Sequence, residues 1–199
     1  MLPILVAAAL AALAASLALI LSGGASPAAA AHIAFAAGIL PLIFGAMLHF
    51  VPVLMRGRPP GRMLQLLPPA MLAAGLLAAA AFLLPPFFEA GIRLAVLAGL
   101  TSAAILAGWI RRRSRAALGA PHPGLHWYLA AVLCLALALA AVLAMEFFPA
   151  QRAALRLFHL HLNTLGFIGL TALGTLAVLL PTAAGRPDPD AAGWLRRML

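Results

Sequence analysis

The sequence predicts an all-α fold, an integral membrane bundle of six transmembrane helices with both termini cytoplasmic. Three observations predict it. Of the 199 residues, 65% are apolar and only 9% charged, with a mean hydropathy of +1.10, whereas a soluble domain carries about 25% charged residues. So few ionisable side chains cannot cover a water-facing surface, which leaves lipid as the main solvent and excludes soluble, disordered, collagen-like and disulfide-stapled classes. Second, six apolar stretches reach the length of about 20 residues that crosses the hydrocarbon. Third, the basic residues, all thirteen of them arginine, gather between those stretches rather than along them.

The first stretch, 2–22, starts at the terminus. It has no positive n-region and is longer than the apolar core of a signal peptide, so it reads as a membrane helix despite the small residues Ala25-Ser-Pro-Ala28 that follow. The segment Ser22-Gly-Gly-Ala-Ser-Pro27 breaks the chain before 31–55, and Arg56-Gly-Arg-Pro-Pro-Gly-Arg62 breaks it before 63–84. Leu84-Pro-Pro-Phe-Phe88 precedes 91–110, and the basic run Arg111–Arg115 leads through Pro123 to 126–147. Phe148-Pro-Ala-Gln-Arg152 precedes the last span, 157–181. Residues 1–182 therefore read as one membrane domain and 183–199 as a polar, proline-containing cytoplasmic tail. No internal duplication is claimed, because Ala/Leu runs mimic repeats.

Charge orients the bundle. With the N-terminus inside, ten arginines fall in inner loops and tail, while only Arg93, Arg152 and Arg156 fall outside. That alternation follows the positive-inside rule at every loop and explains the net charge of +9 without nucleic acid. Both the orientation and a bacterial inner-membrane location are expectations of this reading. The lone Cys134 lies in an apolar run and cannot pair within the chain.

Six histidines are the informative residues in so apolar a chain. Neutral imidazole is the least costly titratable group to place in lipid and a common ligand of haem iron, copper and zinc. His32 opens the second span, and His159 and His161 open the sixth, which runs the same way, so all three belong to the outer third. His49 lies seventeen residues beyond His32, about 25 Å along a helix axis, and joins His122 and His126 at the inner face. These inner three read as interfacial or interhelical hydrogen-bonding residues. Equal depth on two helices of equal direction favours a ligand role for His32 with His161. His159 and His161, two residues apart, project about 200° from each other, which suits two different neighbours: two cofactors, or one cofactor and a hydrogen-bond partner.

Gly38, Gly45, Gly166, Gly169 and Gly174, with Ala34, Ala37, Thr171 and Thr175, leave room either for a macrocycle edge or for close helix packing. Phe35, Phe44 and Phe167 are candidates to pack on a porphyrin. Trp109, Trp127 and Tyr128 read as interfacial anchors. Arg152 and Arg156, one turn apart, would serve haem propionates, or else form an interfacial pair balanced by Glu146.

Two segments resemble a known family. His32-Ile-Ala-Phe-Ala-Ala-Gly-Ile-Leu-Pro41 through Gly45 and Val51-Pro52 resembles the second helix of haem-copper oxidase subunit I, with its low-spin haem histidine, P-x-x-x-G step and terminal V-P. His159-Leu-His-Leu-Asn-Thr-Leu-Gly-Phe-Ile-Gly169 through Pro181 resembles that family's late H-x-H helix. The same features are similar to NnrS-like membrane proteins, associated with haem, copper and nitric oxide. The resemblance covers about a quarter of the chain. It implies that His32 and His161 are axial ligands of a b-type haem between the second and sixth spans, with His159 a second-haem or copper ligand. Half the family's spans and no adjacent His-His pair argue against a complete terminal oxidase. His122-Pro-Gly-Leu-His126 lacks the acidic and tyrosine positions of the oxidase copper segment and starts a helix at the wrong face, so no copper role is transferred to it.

The expectation is thus a haem-binding membrane protein acting in electron transfer or in nitric oxide or copper handling, with a redox protein, a second subunit or a second copy as partner. Two alternatives stay open. One is a copper or zinc carrier or assembly factor using His32, His159 and His161 without haem. The other is a non-catalytic partner subunit. A transporter fits less well, since no span contains a coupling carboxylate in its interior.

Overall fold

The first helix already shows what the chain is built to contact. Leu2–Leu21 is apolar along its whole length, yet only 17% of its most apolar window is buried, so most of its leucines face outward. A computed structural model describes residues 1–117, 120–186 and 188–198. Among them no strand occurs, and six helices are long and apolar enough to cross a membrane. These are α1 (Leu2–Leu21), α2 (Pro27–Leu54), α3 (Leu64–Leu83), α4 (Pro85–Arg115), α5 (Gly124–Phe147) and α6 (Pro149–Ala183). A short seventh helix, α7 (Ala191–Met198), follows. The number and order of spans match the hydropathy reading, and the outward leucines fit an integral membrane protein.

Two expected breaks are shorter than the sequence suggests. Pro85 and Pro149 do not hold helices apart; each opens a single 3-10 turn that runs directly into α4 and α6. Proline is tolerated in a first turn, where the missing N–H would have no acceptor. The fourth and sixth helices are accordingly 31 and 35 residues long.

The chain divides into two compact units, Met1–Leu48 with Pro60–Ser102, and His49–Pro59 with Ala103–Leu199. In the first unit, α2 packs against α1 and α3 through small residues. A side chain on Gly45 would collide with Leu5, and one on Gly38 would press on Ala12. A Cβ on Gly75 of α3 would overlap the backbone of Ala36 and Ala37, so these two helices meet backbone to backbone. Ser16 Oγ donates to the Ala30 carbonyl at 2.8 Å and links α1 to α2.

In the second unit α5 lies against α6. Gly166 packs on Cys134 and Gly174 on Trp127, each too closely for a Cβ. Tyr128 is buried with its hydroxyl 2.9 Å from Thr175 Oγ1, and Trp127 is buried with its Nε1–H donating to the Leu195 carbonyl of α7 at 2.9 Å. The three residues expected as interfacial anchors, Trp109, Trp127 and Tyr128, do not expose their rings. All three rings are inside, and Trp127 and Tyr128 turn inward because their polar atoms find protein partners on α7 and α6.

Candidate functional site

Both histidines singled out for ligation sit where a helix changes its winding. Residues His32–Ile39 of α2 and Leu162–Gly169 of α6 are π-helical, and His161 immediately precedes the second of these stretches. π-Helical turns are rare and concentrate at functional sites. Their local causes differ. In α2, Pro41 lacks an N–H and its ring would clash with the Ala37 carbonyl four residues back, which forces the preceding backbone to widen. In α6 the side chains of Asn163 and Thr164 donate to the carbonyls of His159 and Leu160, both at 2.9 Å, and so compete for acceptors that an α-helix reserves for backbone N–H groups.

The two imidazoles then share one arrangement. His32 Nδ1 lies 2.7 Å from the carbonyl oxygen of Ala28, and His161 Nδ1 lies 2.8 Å from that of Leu157, each four residues back on its own helix. A carbonyl only accepts, so each neutral ring carries its proton on Nδ1 and its lone pair on Nε2. His32 also stacks on Phe82 of α3, with ring centroids 4.5 Å apart and planes tilted by 32°. Phe82 in turn meets Phe88 edge-on at 5.2 Å. His161 is exposed.

His159 has a different neighbour, as the opposite projection of an H-x-H pair requires. Its Nδ1 lies 2.9 Å from the Ala138 carbonyl of α5, and Asn163 Nδ2 lies 3.4 Å from each of its ring nitrogens. Sequence reasoning passed over Asn163 and Phe82. Asn163 carried a signal, being a polar residue four positions after His159 within an apolar run; a phenylalanine among many carries none.

Arg152 and Arg156 are exposed at the start of α6, and Arg152 Nη2 donates to the Met145 carbonyl at 3.4 Å. Phe44 and Phe167 are fully buried, whereas Phe35 is exposed. Of the two roles open to the glycines, a macrocycle edge or close helix packing, four serve packing: Gly38 and Gly45 meet α1, and Gly166 and Gly174 meet α5.

Among the inner histidines, His49 and His126 are exposed, and His49 meets Phe50 edge-on at 5.2 Å. His122 has a structural task. Its Nδ1 accepts the Gly124 N–H at 3.1 Å and so caps the start of α5. Burial, and then the positive charge of Arg196, hold this imidazole below its ordinary value of 6.5.

Among the described residues, no group of three or more His, Cys, Asp or Glu side chains is arranged to hold a metal ion. The chain matches no protein-family model, no curated protein and no solved structure.

Proposed function

We propose that this chain is a haem-binding integral membrane protein in which His32 and His161 present Nε2 to the iron of a b-type haem, acting in electron transfer or in nitric oxide or copper handling. The reading is supported by one observation above all: two histidines, each at the start of a π-helical stretch, have the same Nδ1-to-carbonyl bond. Such a bond fixes the ring's tautomer and orientation and raises the basicity of the other nitrogen, as outer partners of ligating histidines do. The donor chemistry therefore fits haem iron. Haem held by these residues would supply a one-electron couple or a binding position for a diatomic gas.

In this reading Arg152 and Arg156 serve the propionates, and the rest of the chain's contribution is positional. Phe82 limits rotation of the His32 ring, while the widened turns set where each imidazole leaves its helix. The arginine-rich ends face the cytoplasm of a bacterial inner membrane.

The test is an optical spectrum of the purified full chain with haem b supplied, with pyridine haemochrome and metal analysis on the same sample. A Soret band is expected; it should be largely lost in His32→Ala and in His161→Ala and retained in His49→Ala. Absence of the band after haem supplementation overturns the proposal.

A further inference from the structure

The polar tail contains more than a solvated end. Helix α7 holds Ala191 and Leu195 buried on one stripe, and the Leu195 carbonyl accepts the Trp127 Nε1–H at 2.9 Å. Trp127 is the fourth residue of the membrane-crossing helix α5, so α7 is fastened at the depth where that helix begins. Beside the buried stripe, Trp194 and Met198, four residues apart, expose 52% and 57% of their surfaces. The Arg197 guanidinium lies over the Trp194 ring, 4.3 Å from its centroid, and Arg196 is also exposed. An apolar pair with an aromatic ring and adjoining arginines is the composition of a helix lying in the membrane interface.

The charge around α7 specifies the neighbour. In this second unit the segment after α2 meets the end of α4, where Arg113 Nη2 donates to the Arg58 carbonyl at 2.9 Å, and the start of α5 meets α7 through the Trp127–Leu195 bond. Nine of the chain's arginines belong to residues 56–58, 111–115, 186 and 196–197, against only Asp188 and Asp190. None of the nine forms an ion pair with a carboxylate among the described residues. Both a zwitterionic and an acidic phospholipid carry a phosphate, but in the zwitterionic headgroup an attached cation neutralises it, whereas the acidic headgroup leaves a net negative charge for such a cluster to attract. A soluble acidic partner would not need Trp194 and Met198 at the depth of the first turn of α5.

We propose that α7 is an interfacial helix whose Trp194–Arg197 pair, with Arg196, binds the headgroup of an acidic phospholipid in the leaflet at the arginine-rich end.

The full chain is reconstituted into vesicles of phosphatidylcholine mixed with phosphatidylglycerol, one lipid or the other carrying brominated chains. Trp194 emission is taken as the difference between the wild-type protein and Trp194→Phe. Trp109 and Trp127 are only 5% and 3% exposed and remain in both samples. Trp194 should be quenched more strongly by brominated phosphatidylglycerol than by brominated phosphatidylcholine. That preference should vanish in Arg196→Gln/Arg197→Gln and return in Arg196→Lys/Arg197→Lys, which keeps the charge. Neither pair of substitutions touches the Trp127–Leu195 bond. Equal quenching by the two lipids, or a preference that survives removal of both charges, overturns the proposal.

Discussion

The Nδ1 of His161 lies 2.8 Å from the carbonyl oxygen of Leu157, whereas the Nδ1 of His159, two residues earlier, lies 2.9 Å from that of Ala138 on a different helix. The two rings of one H-x-H pair therefore do different work. His159 ties α6 to α5, and its replacement by alanine removes an interhelical bond worth about 1 kcal/mol. His159→Ala should lower the thermal midpoint of the detergent-solubilised protein while leaving a haem Soret band in place. A Soret loss equal to that of His161→Ala, with no change in midpoint, would contradict this division.

Gly75 is the tightest point between α2 and α3. A Cβ there meets the backbone of Ala36 and Ala37, inside the π-helical stretch, and backbone has no rotamer by which to yield. Gly75→Val should destabilise the protein by about 1–3 kcal/mol or more and lower the melting temperature accordingly. Gly193 is the contrasting position, with nothing within 4 Å of an added Cβ. Gly193→Ala should leave stability equal or raise it by about 0.5–1 kcal/mol, since glycine within a helix costs conformational entropy. Equal melting temperatures for Gly75→Val and the wild type would refute the backbone-to-backbone contact.

Hydropathy made the six spans legible because crossing lipid constrains length and polarity over some twenty residues at once, a signal too long to miss. The breaks at Pro85 and Pro149 misled in extent because proline ends one helix and can also open the next. The π-helical stretches were illegible: they arise from Pro41 in one helix and from the Asn163 and Thr164 side chains in the other, so no single residue pattern announces them. The sequence leaves glycines 38, 45, 166 and 174 open to two roles that use the same residue, and the positions of Ala12, Leu5, Cys134 and Trp127 decide for packing. Trp127 and Tyr128 looked interfacial from position alone, and their burial depends on Leu195 and Thr175, which lie 68 and 47 residues away.

His122 makes the start of α5 sensitive to pH. In the folded protein, burial and then Arg196 hold the imidazole below 6.5, while the unfolded chain takes up its proton near that ordinary value. Between those two values the unfolded state binds more protons, so the stabilisation is fully present above pH 6.5 and is lost as pH falls through the depressed folded value. The structural reason is that protonated Nδ1 has no lone pair with which to accept the Gly124 N–H. Melting temperature should therefore fall between about pH 7 and pH 5, and more steeply in the wild type than in His122→Asn, since asparagine caps without titrating. Parallel curves for the two proteins would remove His122 from the account.

The Trp127 Nε1–H to Leu195 carbonyl bond fastens α7 to α5, and among the described residues α7 buries Ala191 and Leu195. A helix this short is not stable by itself, because nucleation costs more than so few backbone bonds return. Trp127→Phe keeps an aromatic ring in the buried position and removes the donor, a loss of about 1 kcal/mol. Docking of α7 should weaken about fivefold, and amide exchange at Trp194 and Leu195 should accelerate by a similar factor. The Trp194 amide is the more informative of the two, since it donates to the Asp190 carbonyl at 3.0 Å across the first turn and opens only when that turn unwinds. Exchange rates in Trp127→Phe equal to those of the wild type would mean that the buried Ala191 and Leu195 side chains alone hold the helix in place.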